Sequence, residues 1–282
     1  MAEPTTGLLE NGADETRRGF YVYGIMSADA SLPAKALTVD AVDPAHPTLT
    51  LSHQDIQAIV GIVSLDEFGQ QELSDHLHDA DWVAAKVRAH EAVVEELCTH
   101  GAVVPMRFGT IFCTEIGVRD MLAEHQGRFR AALVRVAGKR EWGVKVYFSR
   151  QRGAEAAATN SPAVRELKAL IAEQTPGMAY FSQKRLQDTT MQEVDRAIDE
   201  CSQQTHERLA EHAEDAVLNA LRSKEVTGRD EEMILNAAYL VADDRLAAFK
   251  AELESIMREY AAAGFVHEPT GPWPPYSFVE VA

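Results

Sequence analysis

The side chains that could carry chemistry in this sequence do not form a catalytic or metal-binding pattern. His90-Glu91 begins like the H-E-x-x-H metal motif, but Val94 stands where the second histidine is required. His76 and His78 could bind a metal weakly, although histidines in such an acidic stretch are usually only solvated surface. The phosphate-cradling loops G-x-G-x-x-G and G-x-x-x-x-G-K-[ST] are both missing. We therefore expect no catalytic, cofactor-binding or metal-binding residues, and no enzyme.

Arg107 is the polar residue whose setting is most specific. It follows a short apolar strand in the segment VVPMRFGT, and Phe108 comes directly after it. A guanidinium at this place could be held ready for a carboxylate or for the backbone of a partner. It could also form an ion pair within the chain that fixes the end of the strand. Arg107 and Phe108 are therefore candidates for partner binding.

The segment TGPWPPYSF, residues 270–278, places three aromatic rings among three prolines and is called the tail segment below. Proline fixes φ and removes a backbone donor, so the segment must be stiff and extended. Burial of each ring removes about 150–250 Å² from water, worth up to roughly 4–6 kcal/mol. We expect the segment to fold back as a clasp, the alternative being a proline-rich ligand preset for a partner. The candidate residues are Trp273, Pro274, Pro275, Tyr276 and Phe278.

Composition excludes several kinds of partner. The chain has 282 residues and a net charge of −17, with 12 basic and 20 acidic side chains in residues 1–140 and 15 and 24 in residues 141–282. Neither half has the basic footprint that nucleic acids or anionic membranes require. No apolar run approaches the roughly 20 residues that span a bilayer, and the polar first 18 residues do not read as a signal peptide. We expect a cytoplasmic protein whose three scattered cysteines stay reduced.

The first half of the chain predicts the element order β-β-α-β-α. Apolar and aromatic runs predict strands at Gly19–Met26, Gln57–Leu65 and within Gly101–Thr110. Apolar residues at steps of three and four predict a helix from Trp82 and a second helix capped by Thr114. The apolar faces of these two helices include His90 and His125, which we interpret as core or boundary histidines. The acidic stretch that begins at Asp66 is predicted to be a solvated loop, and a proline-bearing loop precedes the second strand.

The second half predicts a strand at Glu141–Ser149, a small-residue connector, a helix from Ser161-Pro162, and a long helix from Pro176 to about His212. At 1.5 Å per residue the long helix spans about 50 Å, so it either overhangs its own core or spans two domains. Ala213–Ser223 fits either the tail of that helix or a strand. Glu232–Ala242 predicts a central strand, followed by a helix that Asp243 or Asp244 caps and Gly264 ends. With a strand at Ala213–Ser223 the order is β-α-β-β-α-β, the ferredoxin-like order.

Four blocks of this sequence resemble the gas vesicle GvpF/GvpL family. They are YVYGI, VVPMRFGTIF, TPGMAYFSQKR and GFVHEPTGPWPPYSF, which occur in the order of the family and extend from about Phe20 to Phe278. The resemblance implies an α+β protein of two domains, the second with a modified ferredoxin-like fold. We predict a flexible leader over residues 1–18, an N-terminal α+β domain over 19–139, and a ferredoxin-like domain with a long helix and the tail over 140–282.

The resemblance also implies a minor or accessory component of gas vesicles. Members of the family are expected to contact the small hydrophobic shell protein GvpA and other accessory proteins, at the gas vesicle and in the cytoplasm. Our hypothesis is that the long helix and the neighbouring sheet cover the apolar face of the shell protein, while the tail segment acts as a domain clasp. The rival classes are an enzyme or small-ligand protein, which the same fold could also be, and a purely structural wall component.

Overall fold

The computed structural model describes residues 17–30 and 37–279. The chain divides into two compact units, the first formed by Met1–Ala137 and Pro274–Ala282 and the second by Gly138–Trp273. The tail segment therefore differs from its predicted place, because its residues beyond Trp273 belong to the first unit. Residues 1–16 of the predicted leader lie outside the described residues, and Arg18 already begins the first strand.

The first unit is an antiparallel sheet with a long helix on each face. The strands have the order β2-β3-β1-β4, and β5 also pairs with β1. One face buries apolar residues of α4, and the other buries those of α3. The elements are β1 (Arg18–Ser27), β2 (Thr48–His53), β3 (Ile56–Ser64), α1 (Leu65–Phe68), α2 (Gln70–His76), α3 (Ala80–His100), β4 (Val103–Pro105), β5 (Ile111–Phe112) and α4 (Glu115–Val136).

The two long helices of the first unit are confirmed, and their ends have the expected chemistry. The Thr114 hydroxyl accepts a hydrogen bond from the Gly117 N–H at 3.1 Å and so caps α4. The apolar residues Val118, Leu122 and Phe129, which recur at steps of four and seven on α4, are all buried. His90 is fully buried on α3, which fits its interpretation as a core histidine.

Two predictions for the first unit were wrong. The acidic stretch from Asp66 forms the short helices α1 and α2 rather than a loop, because Ser64 caps α1 and Phe68 is buried against Tyr21 and Trp82. The proline-bearing loop contains a missed strand, β2, whose Leu51 packs into the core. Part of that loop, residues 31–36, lies outside the described residues.

The second unit is an antiparallel sheet of strand order β7-β8-β6-β9 that packs against α5, α7 and α9. Its core joins residues of β6 and β8 to residues of the three helices. The elements are β6 (Lys139–Phe148), α5 (Arg150–Asn160), α6 (Pro162–Ala172), α7 (Pro176–Ala210), β7 (Asp215–Leu218), α8 (Lys224–Thr227), β8 (Glu232–Ala242), α9 (Leu246–Tyr260) and β9 (Phe265–Trp273).

Most elements of the second unit follow the prediction, with two corrections. The small-residue connector is the helix α5, which Ser149 caps and whose Gly153 faces the buried ring of Phe148. Neither Asp243 nor Asp244 caps α9, because the helix begins at Leu246 and Arg245 occupies the N-cap position. The ambiguous segment 213–223 contains the strand β7.

Gly153 tests the packing of α5 on the sheet. A Cβ at this position would lie 2.1 Å from Phe148 Cζ, so Gly153→Ala must displace a buried ring. We expect the free energy of unfolding to fall by about 1–3 kcal/mol in urea denaturation, since overpacking outweighs the helix propensity of alanine. The control is Gly127→Ala in the middle of α4, where nothing lies within 4 Å. That variant should gain about 0.5–1 kcal/mol, and equal effects at the two sites would contradict the described packing.

Candidate partner-binding surfaces

The tail segment packs into the first unit instead of extending from the second. Pro274, Pro275 and Phe278 are buried, whereas Trp273 is 42% exposed. Val279, which follows the segment, joins the core cluster on the α4 face of the sheet. The stiff proline pair thus leads the chain to a place where the next apolar side chains are removed from water.

Tyr276 fixes the tail segment through a chain of hydrogen bonds inside the first unit. Its hydroxyl lies 3.1 Å from His90 Nε2, and His90 Nδ1 lies 2.9 Å from the Tyr21 hydroxyl. The Tyr21 oxygen in turn accepts the Gly109 N–H at 3.1 Å. Since a backbone N–H can only donate, a consistent direction runs from Gly109 through Tyr21 and His90 to Tyr276, whose proton goes to the Glu91 carboxylate.

Burial holds the histidine and the two tyrosines of this chain in their neutral forms. It lowers the pKa of His90 to about 4, with the Met106 carbonyl opposing the shift. It also raises the pKa of Tyr276 and of Tyr21 far above the usual range of a phenol, and raises the pKa of Glu91. Neutral groups that already bond to each other have no free site for a substrate. The arrangement therefore suits a structural latch better than acid–base chemistry.

Phe108 meets the same histidine from another side. Its ring lies edge-on to His90 at 6.0 Å and to Tyr21 at 6.3 Å between centroids. Two candidates that are 168 positions apart in sequence, Phe108 and Tyr276, therefore converge on one buried residue. Sequence reasoning missed Tyr21 and Glu91 as members of this group, because no local spacing links them to the tail segment.

Arg107 stands apart from this group at the surface. Its carbonyl accepts hydrogen bonds from the N–H and the hydroxyl of Thr110, which closes the turn after β4. Its side chain is exposed, and within residues 17–30 and 37–279 no carboxylate forms an ion pair with its guanidinium. The alternative of an ion pair that fixes the strand end is thus not seen in the described structure.

A groove runs between α4 and the segment 106–112 and is called the α4 groove below. It encloses about 360 Å³, near the lower end of the range for ligand sites. Buried and half-buried side chains, mostly apolar, form its floor, and exposed charged side chains form its rims. The floor consists of Met106, Phe112, Met121, His125 and Phe129, and the rims carry Arg107, Asp120, Glu124 and Arg128.

The second unit exposes large apolar side chains on α6 and on the first half of α7. Phe181 is 77% exposed, Tyr180 68% and Met191 58%, and Leu170 on α6 is 48% exposed. The two helices pack against each other. We call these four side chains the α6–α7 surface. Tyr180 and Phe181 also contact each other edge-on at 5.7 Å between ring centroids, so together they offer a large apolar area that a partner can cover.

The two histidines of the acidic stretch, His76 and His78, make contacts with nearby residues. His76 stacks on Trp82 at 4.8 Å between ring centroids, and His78 Nδ1 lies 3.0 Å from the Ser74 carbonyl. The part of the chain that the structure describes contains no cluster of His, Cys, Asp or Glu that could hold a metal ion. Across the same residues, none of the helices has the length and hydropathy of a membrane span.

The sequence is similar to those of known gas vesicle proteins over nearly its whole length. The family model of the gas vesicle synthesis protein GvpL/GvpF matches residues 19–280. Gas vesicle protein L of a Streptomyces strain is 32% identical over 269 residues, which is 95% of each chain. Gas vesicle protein F2 of Halobacterium salinarum is 27% identical and covers 93% of this chain and 92% of its own.

A solved structure shares the fold. The crystal structure of gas vesicle protein GvpF from Anabaena superposes with a TM-score of 0.65 at 16% identity, and the match covers 94% of this chain and 97% of the other. Because the identity is so low, this likeness concerns the mixed helix-and-strand fold alone.

Tyr276→Phe tests the latch. Removal of the Tyr276 hydroxyl leaves His90 Nε2 and the Glu91 carboxyl group without this hydrogen-bond partner. The loss should lower the free energy of unfolding by about 1–3 kcal/mol. We expect a lower free energy of unfolding and faster release of C-terminal residues by carboxypeptidase. The control is Tyr180→Phe, whose exposed ring should tolerate the change within about 0.5 kcal/mol. Equal digestion of both variants would argue against the latch.

The pH dependence of stability gives a second test. The unfolded chain binds a proton on histidine near pH 6.5 and the folded chain only near 4, so His90 makes stability fall as the pH falls through that window. Glu91 has the opposite effect on stability. Its pKa is raised in the folded state, so as the pH falls the folded chain binds this proton before the unfolded chain does. We expect His90→Gln to lose less stability than the wild type between pH 6.5 and 4, by urea denaturation. Parallel curves would mean that His90 titrates alike in both states.

Proposed function

Because the chain belongs to the GvpL/GvpF family of gas vesicle synthesis proteins, we propose that it is an accessory protein that binds the hydrophobic shell protein GvpA. Binding would cover the apolar face of the shell protein, prevent its aggregation and assist the nucleation and assembly of vesicles. Other accessory proteins are further partners in this proposal, and the gas vesicle is its place of action. It acts by burial of a surface, without catalysis.

The observation that carries this proposal is the α6–α7 surface. An exposed set of one tyrosine, one phenylalanine, one methionine and one leucine offers large apolar contact area. The methionine side chain is flexible and polarizable, which suits a partner whose surface varies. Burial of such side chains against an apolar face is favourable at about 25 cal/mol per Å².

Charge supports the same surface. The whole chain carries −17, but residues 162–191 contain four basic and three acidic side chains. The adjacent Lys184 and Arg185 are exposed on α7. A strongly acidic body keeps a complex dispersed by repulsion between copies, while the nearly neutral helix pair does not repel an incoming client.

We also propose a role for the tail segment and for the architecture. The burial of Pro274, Pro275 and Phe278 supports a clasp that returns the chain to the first unit, and the remaining candidates, Arg107, Phe108, Trp273 and Tyr276, belong to that clasp or to a partner contact. The element order of the second unit and its strand order β7-β8-β6-β9 support a modified ferredoxin-like domain.

Co-expression with the shell protein tests the function. We expect the wild-type chain to increase the fraction of GvpA that remains in the supernatant after centrifugation. The double variant Tyr180→Ser and Phe181→Ser should lose most of this effect, because it removes the two most exposed rings of the α6–α7 surface.

The matched control is Leu221→Ser with Val226→Ser, two side chains that are 57% and 67% exposed elsewhere in the same unit. This variant should retain the wild-type effect. An unchanged soluble fraction of GvpA with the wild-type chain would refute the chaperone proposal. Equal loss in the two double variants would refute the assignment of the surface but not the function.

A further inference from the structure

We propose that the α4 groove of the first unit is a second binding site, and that its occupant is an amphipathic helix of a partner protein. The helix would carry basic side chains on one flank of its apolar stripe and acidic side chains on the other. This site lies in a different unit from the α6–α7 surface and does not depend on it.

The dimensions of the groove fit a helix. The wall on α4 extends from Gly117 to Phe129, a distance of about 18 Å at 1.5 Å per residue. At one end of this wall Gly117 faces the floor residue Phe112, whose ring would lie 3.2 Å from a Cβ at this position, so the wall and the floor are in close contact there. The floor contains two methionines, whose flexible thioethers adapt to the side chains of a partner.

Backbone hydrogen bonding argues for a helix and against an added strand. Strand addition requires a row of unpaired N–H and C=O groups along an edge. The α4 wall has its backbone groups paired within the helix. On the other wall, Met106 and Thr110 donate to Tyr23 and Arg107, the Thr110 carbonyl accepts from Val22, and the Gly109 N–H bonds to Tyr21. A segment bound here must therefore satisfy its own backbone groups, as a helix does.

The rims define the charges of the partner. Asp120, Glu124 and Arg128 follow each other at intervals of four along one edge of α4, and Arg107 stands on the opposite wall. Within the described ranges none of these four side chains has an ion pair. Like charges four residues apart destabilise a helix, so a basic group placed against Asp120 and Glu124 relieves a repulsion. An acidic group on the other flank can then meet Arg107 on the opposite wall.

A labelled cysteine makes the groove measurable in the full-length chain. Cys113 is exposed and follows the floor residue Phe112, whereas Cys98 and Cys201 are buried. An environment-sensitive fluorophore on Cys113 therefore reports on the groove. The probe is a synthetic 14-residue helical peptide with leucine at every third and fourth position, lysine on one flank and glutamate on the other. Its control has glutamine on both flanks.

We expect saturable binding of the charged peptide, about fivefold tighter than the glutamine peptide at low salt, with the difference lost at about 1 M salt. Glu124→Arg should weaken the charged peptide by about fivefold. Asp199→Arg, an exposed acid on α7, should leave its affinity unchanged. Met121→Glu, which places a charge in the floor, should abolish binding of both peptides while circular dichroism shows an intact fold.

Three results would overturn the proposal. The first is no saturable signal with either peptide. The second is equal affinity for the two peptides together with no effect of Glu124→Arg, which would show that the rims do not select a partner. The third is a signal that changes with protein concentration before peptide is added, which would assign the groove to a second copy of this chain. Failure of GvpA solubilisation would leave all three readouts unaffected.

Discussion

Helix α7 is longer than the sheet it covers, and this mismatch determines what the second unit can present to a partner. Its 35 residues span about 52 Å, whereas β8, with 11 residues, spans about 36 Å. The buried core residues of α7 are Val194, Cys201 and Leu209, and all of them lie in the second half of the helix. The first half packs beside α6 with Tyr180, Phe181 and Met191 in water. The exposure of this surface therefore follows first from the length of α7, and only second from the identity of its residues.

The tail segment solves a different problem, because a chain that leaves the second unit must be held in the first. Burial of two prolines and one phenylalanine supplies contact area at low entropic cost, since proline has little freedom to lose. Apolar contacts alone do not fix the register of such a segment. The hydrogen bond between Tyr276 and His90 fixes the register. If the segment shifted by one position, the buried hydroxyl would lose this partner and no water would replace it.

Local patterns predicted the parts of the fold that local physics decides. The helices α3 and α4, the proline-led start of α6 and the extent of α7 follow from periodicity and caps, as at Thr114 and Ser161. Two of the failures reflect contact with residues distant in sequence. The strand β2 pairs with β3 and buries Leu51 in the core, and α1 forms because Phe68 packs against Tyr21 and Trp82.

The candidate sites show the same limit more sharply. The sequence pointed to Phe108 and Tyr276 separately, but nothing in their spacing indicated that both would contact His90. The total net charge of −17 likewise gave no indication that the α6–α7 helix pair is nearly neutral. Long-range electrostatic repulsion depends on that total, whereas recognition depends on charges within about 10 Å, the screening length at moderate salt. A chain can therefore be acidic enough to keep a complex dispersed and still offer a nearly neutral, apolar surface to the partner it binds.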